Sequence, residues 1–95
     1  MGIGFALTEE FVPGVTRGFA DYRIPTTRDV PAIETIFIEQ PDPKGPFGGK
    51  GLGECALIPT APAILNAIAD ATGIRLTRLP ATPDRVGHAL VRQRG

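Results

Sequence analysis

A glutamate that closes a glycine-rich loop is the first residue whose type and position could do chemistry. Glu54 stands between the loop of residues 49–53 and an apolar stretch, residues 56–58. A carboxylate between a loop and apolar neighbours is partly desolvated, and burial makes a carboxylate a stronger base by raising its pKa. Glu54 is therefore a candidate general base. The alternative is a carboxylate near the N-terminus of the helix that follows, where the helix dipole favours negative charge. Spacing alone favours this alternative.

The glycine loop matches no phosphate-binding motif in full. Residues 49–50 agree with the end of a P-loop, but Lys44 replaces its first glycine and Gly51 replaces its Ser or Thr. Residues 51–56 agree with G-x-G-x-x-A, the dinucleotide fingerprint. That fingerprint has to follow a strand directly, and the nearest predicted strand already ends at Glu39. The pattern therefore favours a surface loop over dinucleotide binding.

The single cysteine and the single histidine lack partners for catalysis. Cys55 and His88 fall on different predicted elements, and no Asp or Asn is placed to orient the histidine. They cannot complete a four-ligand zinc site without carboxylates or another chain. We interpret Cys55 as a small buried residue and His88 as a partly exposed helix residue. One cysteine also excludes an internal disulfide.

Three helices are predicted to position these residues. Residues 2–11 carry apolar side chains at helical spacing. Residues 61–72 form the second helix, with Thr60 as its predicted N-cap and a glycine after its end. The third begins after Thr82, because a proline follows that capping residue.

Residues 33–39 form the best predicted strand, because they are rich in β-branched and aromatic side chains. Both faces carry large apolar groups, so the strand should be covered on both sides. Its partner is either a weak strand at residues 73–79 or a strand outside this chain. The predicted fold class is α+β, a partial domain with about three helices and one or two strands.

Composition excludes several functional classes. The 95 residues carry 10 Lys and Arg against 10 Asp and Glu, and no Trp, which argues against non-specific binding to nucleic acid or to an anionic membrane. No apolar run approaches the ~18–20 residues of a membrane span. The 12 glycines and 10 prolines make up about 23% of the 95 residues, whereas glycine and proline together average roughly 12% of a protein. Such a loop-rich chain is unlike a complete domain.

Several blocks of sequence are distinctive in their order and spacing. They are residues 2–10, 19–26, 29–31, 45–54, 59–64 and 78–83. In this order they resemble the C-terminal end of the molybdenum-binding large subunit of the xanthine dehydrogenase and aldehyde oxidase family. Several matching blocks in series are more specific than any single motif.

The resemblance implies a molybdenum hydroxylase. Members of the family hold molybdenum in molybdopterin, often as the cytosine dinucleotide form, and oxidise a C–H carbon of an aldehyde, purine or N-heterocycle with oxygen from water. Glu54, at the end of the family's Gly-Lys-Gly-x-Gly-Glu loop, is then the base that deprotonates the molybdenum-bound hydroxyl. Gly49, Lys50, Gly51 and Gly53 are then cofactor-binding, and no residue ligates the metal.

The resemblance also implies partners. Residues 1–95 are expected to be the C-terminal part of a molybdopterin-binding domain. The partners are then the remainder of the large subunit, a small-molecule substrate, and the subunits or domains that carry iron–sulfur clusters and FAD. Cys55 departs from the family, which commonly has proline there.

We expect a cytoplasmic enzyme, and no activity from the 95-residue chain alone, because only one loop of the cofactor site is present. The competing hypothesis is a non-catalytic module of the same ancestry that binds a partner subunit or assists assembly.

Overall fold

The computed structural model describes residues 1–95 and contains three α-helices. They are α1 (Gly2–Leu7), α2 (Thr60–Thr72) and α3 (Pro83–Arg94), with one turn of 3-10 helix at Pro46–Gly48. The rest of the chain consists of turns and irregular segments. No helix is long and apolar enough to cross a membrane.

The ends of α2 and α3 show which capping predictions were correct. Thr82 caps α3 as predicted, since its Oγ1 accepts a hydrogen bond from the Arg85 backbone N–H at 3.3 Å. Gly73 ends α2 with a left-handed φ of 74°, which glycine adopts without steric cost. The prediction that Thr60 caps α2 was wrong. Pro59 occupies the N-cap position, Thr60 is already the first residue of α2, and no side chain caps the helix amides. The Thr60 hydroxyl instead donates to the Ala56 carbonyl oxygen at 2.7 Å.

Helix α1 is shorter than predicted, because it ends at Leu7 rather than at Phe11. The Thr8 backbone N–H still donates to the Gly4 carbonyl oxygen, at 2.9 Å. The Thr8 hydroxyl, however, donates at 2.8 Å to the carbonyl oxygen of Arg23, in the long loop that follows. Helix α1 therefore ends at Leu7, and the next residue, Thr8, bonds to the long loop.

Small residues allow α1 to lie directly against α2. A Cβ on Gly2 would come within 2.5 Å of the Thr60 side chain, so only glycine permits this approach. The Ala81 backbone N–H, just before α3, donates to the Ala6 carbonyl oxygen at 2.6 Å. The buried apolar residues are few: Ala6, Ala61, Ile74 and Ala81.

The predicted strand at residues 33–39 is absent, as is the predicted weak strand at residues 73–79. No backbone–backbone hydrogen bond involves any residue from 30 to 41. A run of β-branched residues favours extended backbone, but a strand forms only where a neighbouring strand pairs with it through hydrogen bonds. The helices of the expected α+β class are confirmed, and its strands are not formed within this chain.

The chain is expanded for its length. Its radius of gyration is 17.5 Å, whereas a compact domain of this size has about 12–13 Å. Only 7 of the 95 residues are buried. Such exposure agrees with the partial-domain prediction, because so small a core leaves most apolar side chains in contact with water.

Candidate functional site

The loop before Glu54 is organised by one aspartate. The Asp42 backbone N–H donates to the Gly48 carbonyl oxygen at 3.1 Å, and its own carbonyl oxygen accepts from the Gly45 N–H at 3.3 Å. The Asp42 carboxylate accepts from the Lys44 N–H at 2.9 Å. These bonds close residues 42–48 into a turn that needs no other part of the chain.

Phe47 lies at the tip of this turn in an unusual conformation. Its φ is 53°, and that of Gly48 is 76°, so two successive residues are left-handed. The conformation suits glycine, but for a bulky residue it costs on the order of 1–3 kcal/mol. The Phe47 side chain is fully exposed. The sequence analysis did not select Phe47, although an aromatic residue within a Gly-Pro-Phe-Gly-Gly turn was a visible signal.

The segment after the turn presents unused backbone donors. None of the backbone N–H groups of residues 50–53 makes a hydrogen bond within the chain. A Cβ on Gly51 or on Gly53 would meet nothing within 4 Å, and neither residue has a left-handed φ. The chain's own packing therefore does not require these glycines. Free N–H groups in a segment where every second residue is glycine suit a close approach by an oxygen-rich ligand.

A groove of about 550 Å³ runs between this segment and the end of the predicted strand. Lys50 and Gly51 line it together with Gln40 and Phe47. Gly49 and Gly53 do not line it. The structure thus brings together two of the four predicted cofactor-binding residues.

Glu54 faces a different recess, of about 660 Å³. Its neighbours there are mostly apolar and include Phe5, Leu57, Ile58 and Leu79. The Glu54 side chain is exposed and makes no hydrogen bond or ion pair. The expected apolar neighbours are present, but the Glu54 carboxylate remains exposed to solvent rather than partly desolvated.

The alternative placement of Glu54 at a helix N-terminus is wrong. Glu54 lies in the turn that precedes α2, and the first turn of α2 contains no acidic residue. The only bond that Glu54 makes is through its backbone, where its carbonyl oxygen accepts from the Leu57 N–H at 3.1 Å. The carboxylate is therefore free to meet a group outside this chain.

The two remaining candidate residues have no catalytic arrangement. Cys55 is exposed, which contradicts the predicted burial, because the surface turn that holds it has nothing packed over it. Its thiol donates only to the Gly51 carbonyl oxygen, at 3.8 Å. His88 lies exposed on α3, in agreement with its interpretation as a helix residue. No cluster of His, Cys, Asp and Glu could hold a metal ion.

An ion pair joins the N-terminal and C-terminal thirds of the chain, away from the groove. Arg85 Nη2 lies 2.6 Å from Glu10 Oε1, and Arg78 Nη2 lies 3.5 Å from the same oxygen. The hydrogen bond from Arg85, with the charge of both arginines, lowers the pKa of Glu10. Nearby, the Tyr22 hydroxyl donates to the Glu9 carboxylate at 2.8 Å, which raises the pKa of Tyr22. These contacts connect α1 to its neighbours and have no evident catalytic use.

Known proteins resemble the chain over almost all of its length, although no protein-family model matches it. It is 45% identical over 92 residues to a putative xanthine dehydrogenase molybdenum-binding subunit of Escherichia coli, covering 90% of this chain and 12% of that subunit. It is 41% identical over 96 residues to an aldehyde oxidoreductase of Megalodesulfovibrio gigas, covering 94% of this chain and 10% of that protein.

A solved structure shows the same arrangement. The crystal structure of quinoline 2-oxidoreductase from Pseudomonas putida 86 superposes with a TM-score of 0.86 at 35% identity. The superposition covers 95% of this chain and 12% of that one.

In sequence and in fold the chain is similar to a segment of molybdenum-binding oxidoreductase subunits. More particularly, the chain is homologous to a segment of the molybdenum-binding subunits of the xanthine dehydrogenase and aldehyde oxidoreductase family, as the resemblance indicated. It spans about a tenth of the length of these relatives.

Proposed function

We propose that this chain is part of a molybdenum hydroxylase that oxidises a C–H carbon of an aldehyde, a purine or an N-heterocycle with oxygen from water. The observation that carries the proposal is the 45% identity to a molybdenum-binding subunit across nine tenths of the chain. The glycine loop and Glu54 lie within a chain of which 95% superposes on an oxidoreductase. The substrate classes are those named by the relatives and by the solved structure.

The residues present fit one wall of a molybdopterin site. Lys50 and Gly51 line the groove, and the free N–H groups of residues 50–53 offer donors to pterin or phosphate oxygens. Gly49 and Gly53 keep the backbone on either side free of side chains. When bound, the molybdenum cofactor, often in the cytosine dinucleotide form, activates a water and accepts two electrons from the substrate.

Glu54 is proposed to accept the proton that the activated water gives up, which requires the assembled subunit to bring the Glu54 recess next to the groove lined by Lys50 and Gly51. Its carboxylate is unpaired, so it is available as an acceptor, and its recess is mostly apolar. In this chain the recess is open to solvent. The rest of the subunit would cover it and remove the water that weakens a general base.

Iron–sulfur clusters and FAD are proposed to lie on partner subunits or domains. The chain has one exposed cysteine and no cluster of metal ligands, so it offers no iron–sulfur site of its own. One relative is named as the gamma subunit of a dehydrogenase complex, that of 6-hydroxypseudooxynicotine in Paenarthrobacter nicotinovorans. By analogy, this chain would work inside a complex of several subunits.

The substitution Glu54→Gln in the complete complex tests this function. It keeps the shape of the side chain but removes the proton acceptor, so we expect turnover to fall by about 10²–10⁴-fold with molybdenum content unchanged. The measurement is substrate-dependent dye reduction together with metal analysis. Asp70→Asn is the matched control, because Asp70 is also an exposed carboxylate without an ion pair. Full turnover in the Glu54 variant would favour the non-catalytic assembly module instead.

A further inference from the structure

Residues 33–39 present large apolar side chains to solvent on both sides of the backbone. Ile33 and Phe37, which share one face in an extended chain, are 73% and 69% exposed. Ile36 and Ile38, which share the other, are 78% and 93% exposed. Exposed apolar groups of this size in one segment mark an interaction surface rather than a solvated loop.

The backbone of the same segment is unpaired. No N–H or carbonyl group between residues 30 and 41 bonds to another backbone group of the chain. The side chains of this segment make no hydrogen bonds either. An unpaired run of β-branched residues is a template for addition to a sheet edge, since main-chain hydrogen bonds then supply affinity.

A second copy of this chain is a poor occupant for the segment. Two copies could pair their segments along one edge, but the chain contains no other strand. Both apolar faces would therefore stay in water. A larger body with a sheet and covering layers satisfies the backbone and both faces at once.

The relatives supply such a body. The matched region is only about 10–12% of their length, so roughly nine tenths of a molybdenum-binding subunit lies outside it. Resting on the proposed function, we propose that residues 33–39 add as a β-strand to a sheet of the rest of that subunit, whether on the same polypeptide or on a separate one. Layers of that subunit then cover both faces.

The pairing has a consequence for the groove. Ile38, at the end of the segment, and Gln40, just beyond it, line the groove together with Lys50. A strand held in a sheet would fix this side of the groove and the start of the Asp42 turn. Strand addition thus positions the loop relative to the rest of the subunit, which the chain alone cannot do.

Hydrogen–deuterium exchange of the assembled complex tests the proposal. The chain is co-purified with the rest of the subunit, and amide exchange at residues 33–39 is compared with exchange in the chain alone. We expect rapid exchange alone and exchange slowed by about 100-fold or more in the complex, because amides in a paired strand exchange only when it opens.

Each other outcome overturns a specific statement. A molybdenum-loaded, active complex in which residues 33–39 exchange as fast as in the free chain overturns the strand addition but leaves the proposed function intact. A dimer of the chain alone with these amides protected assigns the segment to a second copy and also overturns it. Failure of the chain to join any such complex removes the proposed function and this inference together.

A pair of variants separates backbone from side-chain effects. Ile36→Ala and Ile36→Pro both truncate the side chain, but only proline removes the backbone N–H. We expect the proline variant to lower the yield of complex at least tenfold more than the alanine variant. Equal losses in the two variants would show a side-chain contact without strand pairing.

Discussion

At the scale of single residues, the loop contains glycines of two kinds. Gly48 is needed by the chain itself, since its φ is +76° and a Cβ would lie 3.0 Å from Pro41 Cβ. The chain's own structure does not need glycine at position 51, because Gly51 has open space around it and no left-handed φ. The first kind shapes the turn, and the second leaves a surface free for another molecule.

This difference predicts that alanine substitutions at the two glycines have different effects on the turn. Gly48→Ala should destabilise the Asp42 turn by about 1–2 kcal/mol, the cost of a left-handed Cβ, whereas Gly51→Ala should leave it intact. Exchange rates of the Gly45 and Gly48 amides, which donate within the turn, measure this in the chain alone. In the complete enzyme we expect Gly51→Ala, but not a substitution at exposed Thr77, to lower molybdenum content. A Gly51 variant with full molybdenum content would contradict the assignment of Gly51 to the cofactor wall.

At the scale of elements, the helices are joined by a few polar contacts rather than by a large core. Ala81 bonds to the end of α1, and Arg85 in α3 bonds both to the Pro80 carbonyl oxygen, at 2.8 Å, and to Glu10. The attachment of α3 to α1 therefore depends on a charged pair. Such attachment responds to pH, which apolar packing does not.

The Glu10 ion pair predicts loss of stability in acid. The folded-state pKa of Glu10 is below its ordinary 4.5, because Arg85 donates to the carboxylate and both arginines attract its charge. The stabilisation is therefore present above 4.5 and is lost as pH falls through the lowered value. At a fixed temperature, the helical circular-dichroism signal should fall more on acidification for the wild-type chain than for Glu10→Gln. The control is Glu34→Gln, at an exposed site without an ion pair, which should behave as wild type. Identical pH profiles for wild type and Glu10→Gln would exclude a stabilising role for the Glu10 ion pair.

At the scale of the whole molecule, the chain has surface that its own folding does not bury. Exposed apolar side chains occur in the strand-forming segment, in the long loop after α1 and in the turn before α2; examples are Ile36, Phe19 and Ile58. A core made of three alanines and one isoleucine cannot hold these segments together. In the proposed assembly, the rest of the subunit would cover these side chains and supply most of the stabilisation.

The isolated chain should therefore be expanded and weakly cooperative. We expect small-angle X-ray scattering to give a radius of gyration near 17.5 Å rather than the roughly 12–13 Å of a compact domain. Heating should give a broad loss of helical signal, and substrate-dependent dye reduction should be absent. A compact radius with a sharp transition would show that the chain is an independent domain, and dye reduction by the chain alone would refute its proposed inactivity.

Helices with strong local signals were predictable from the sequence. Thr82 before proline and Gly73 after a run of helix formers specify backbone geometry within a few residues of themselves, and the structure agrees. The end of α1 was not predictable, because Thr8 is diverted by Arg23, far away in sequence. The left-handed φ of Phe47 was not predictable either, because non-glycine residues rarely adopt that region and nothing in the residue order requires Phe47 to do so.

The sequence by itself determined the family resemblance, the glycine loop with Glu54 at its end, and the two longer helices, because these depend on residue identity and on local backbone preference. Tertiary structure decided which residues share a recess: Lys50 and Gly51 face one groove and Glu54 faces another. It also decided that residues 33–39 remain unpaired in this chain. A strand needs a hydrogen-bonding neighbour, and whether one is present is a property of the assembled molecule rather than of any short stretch of residues.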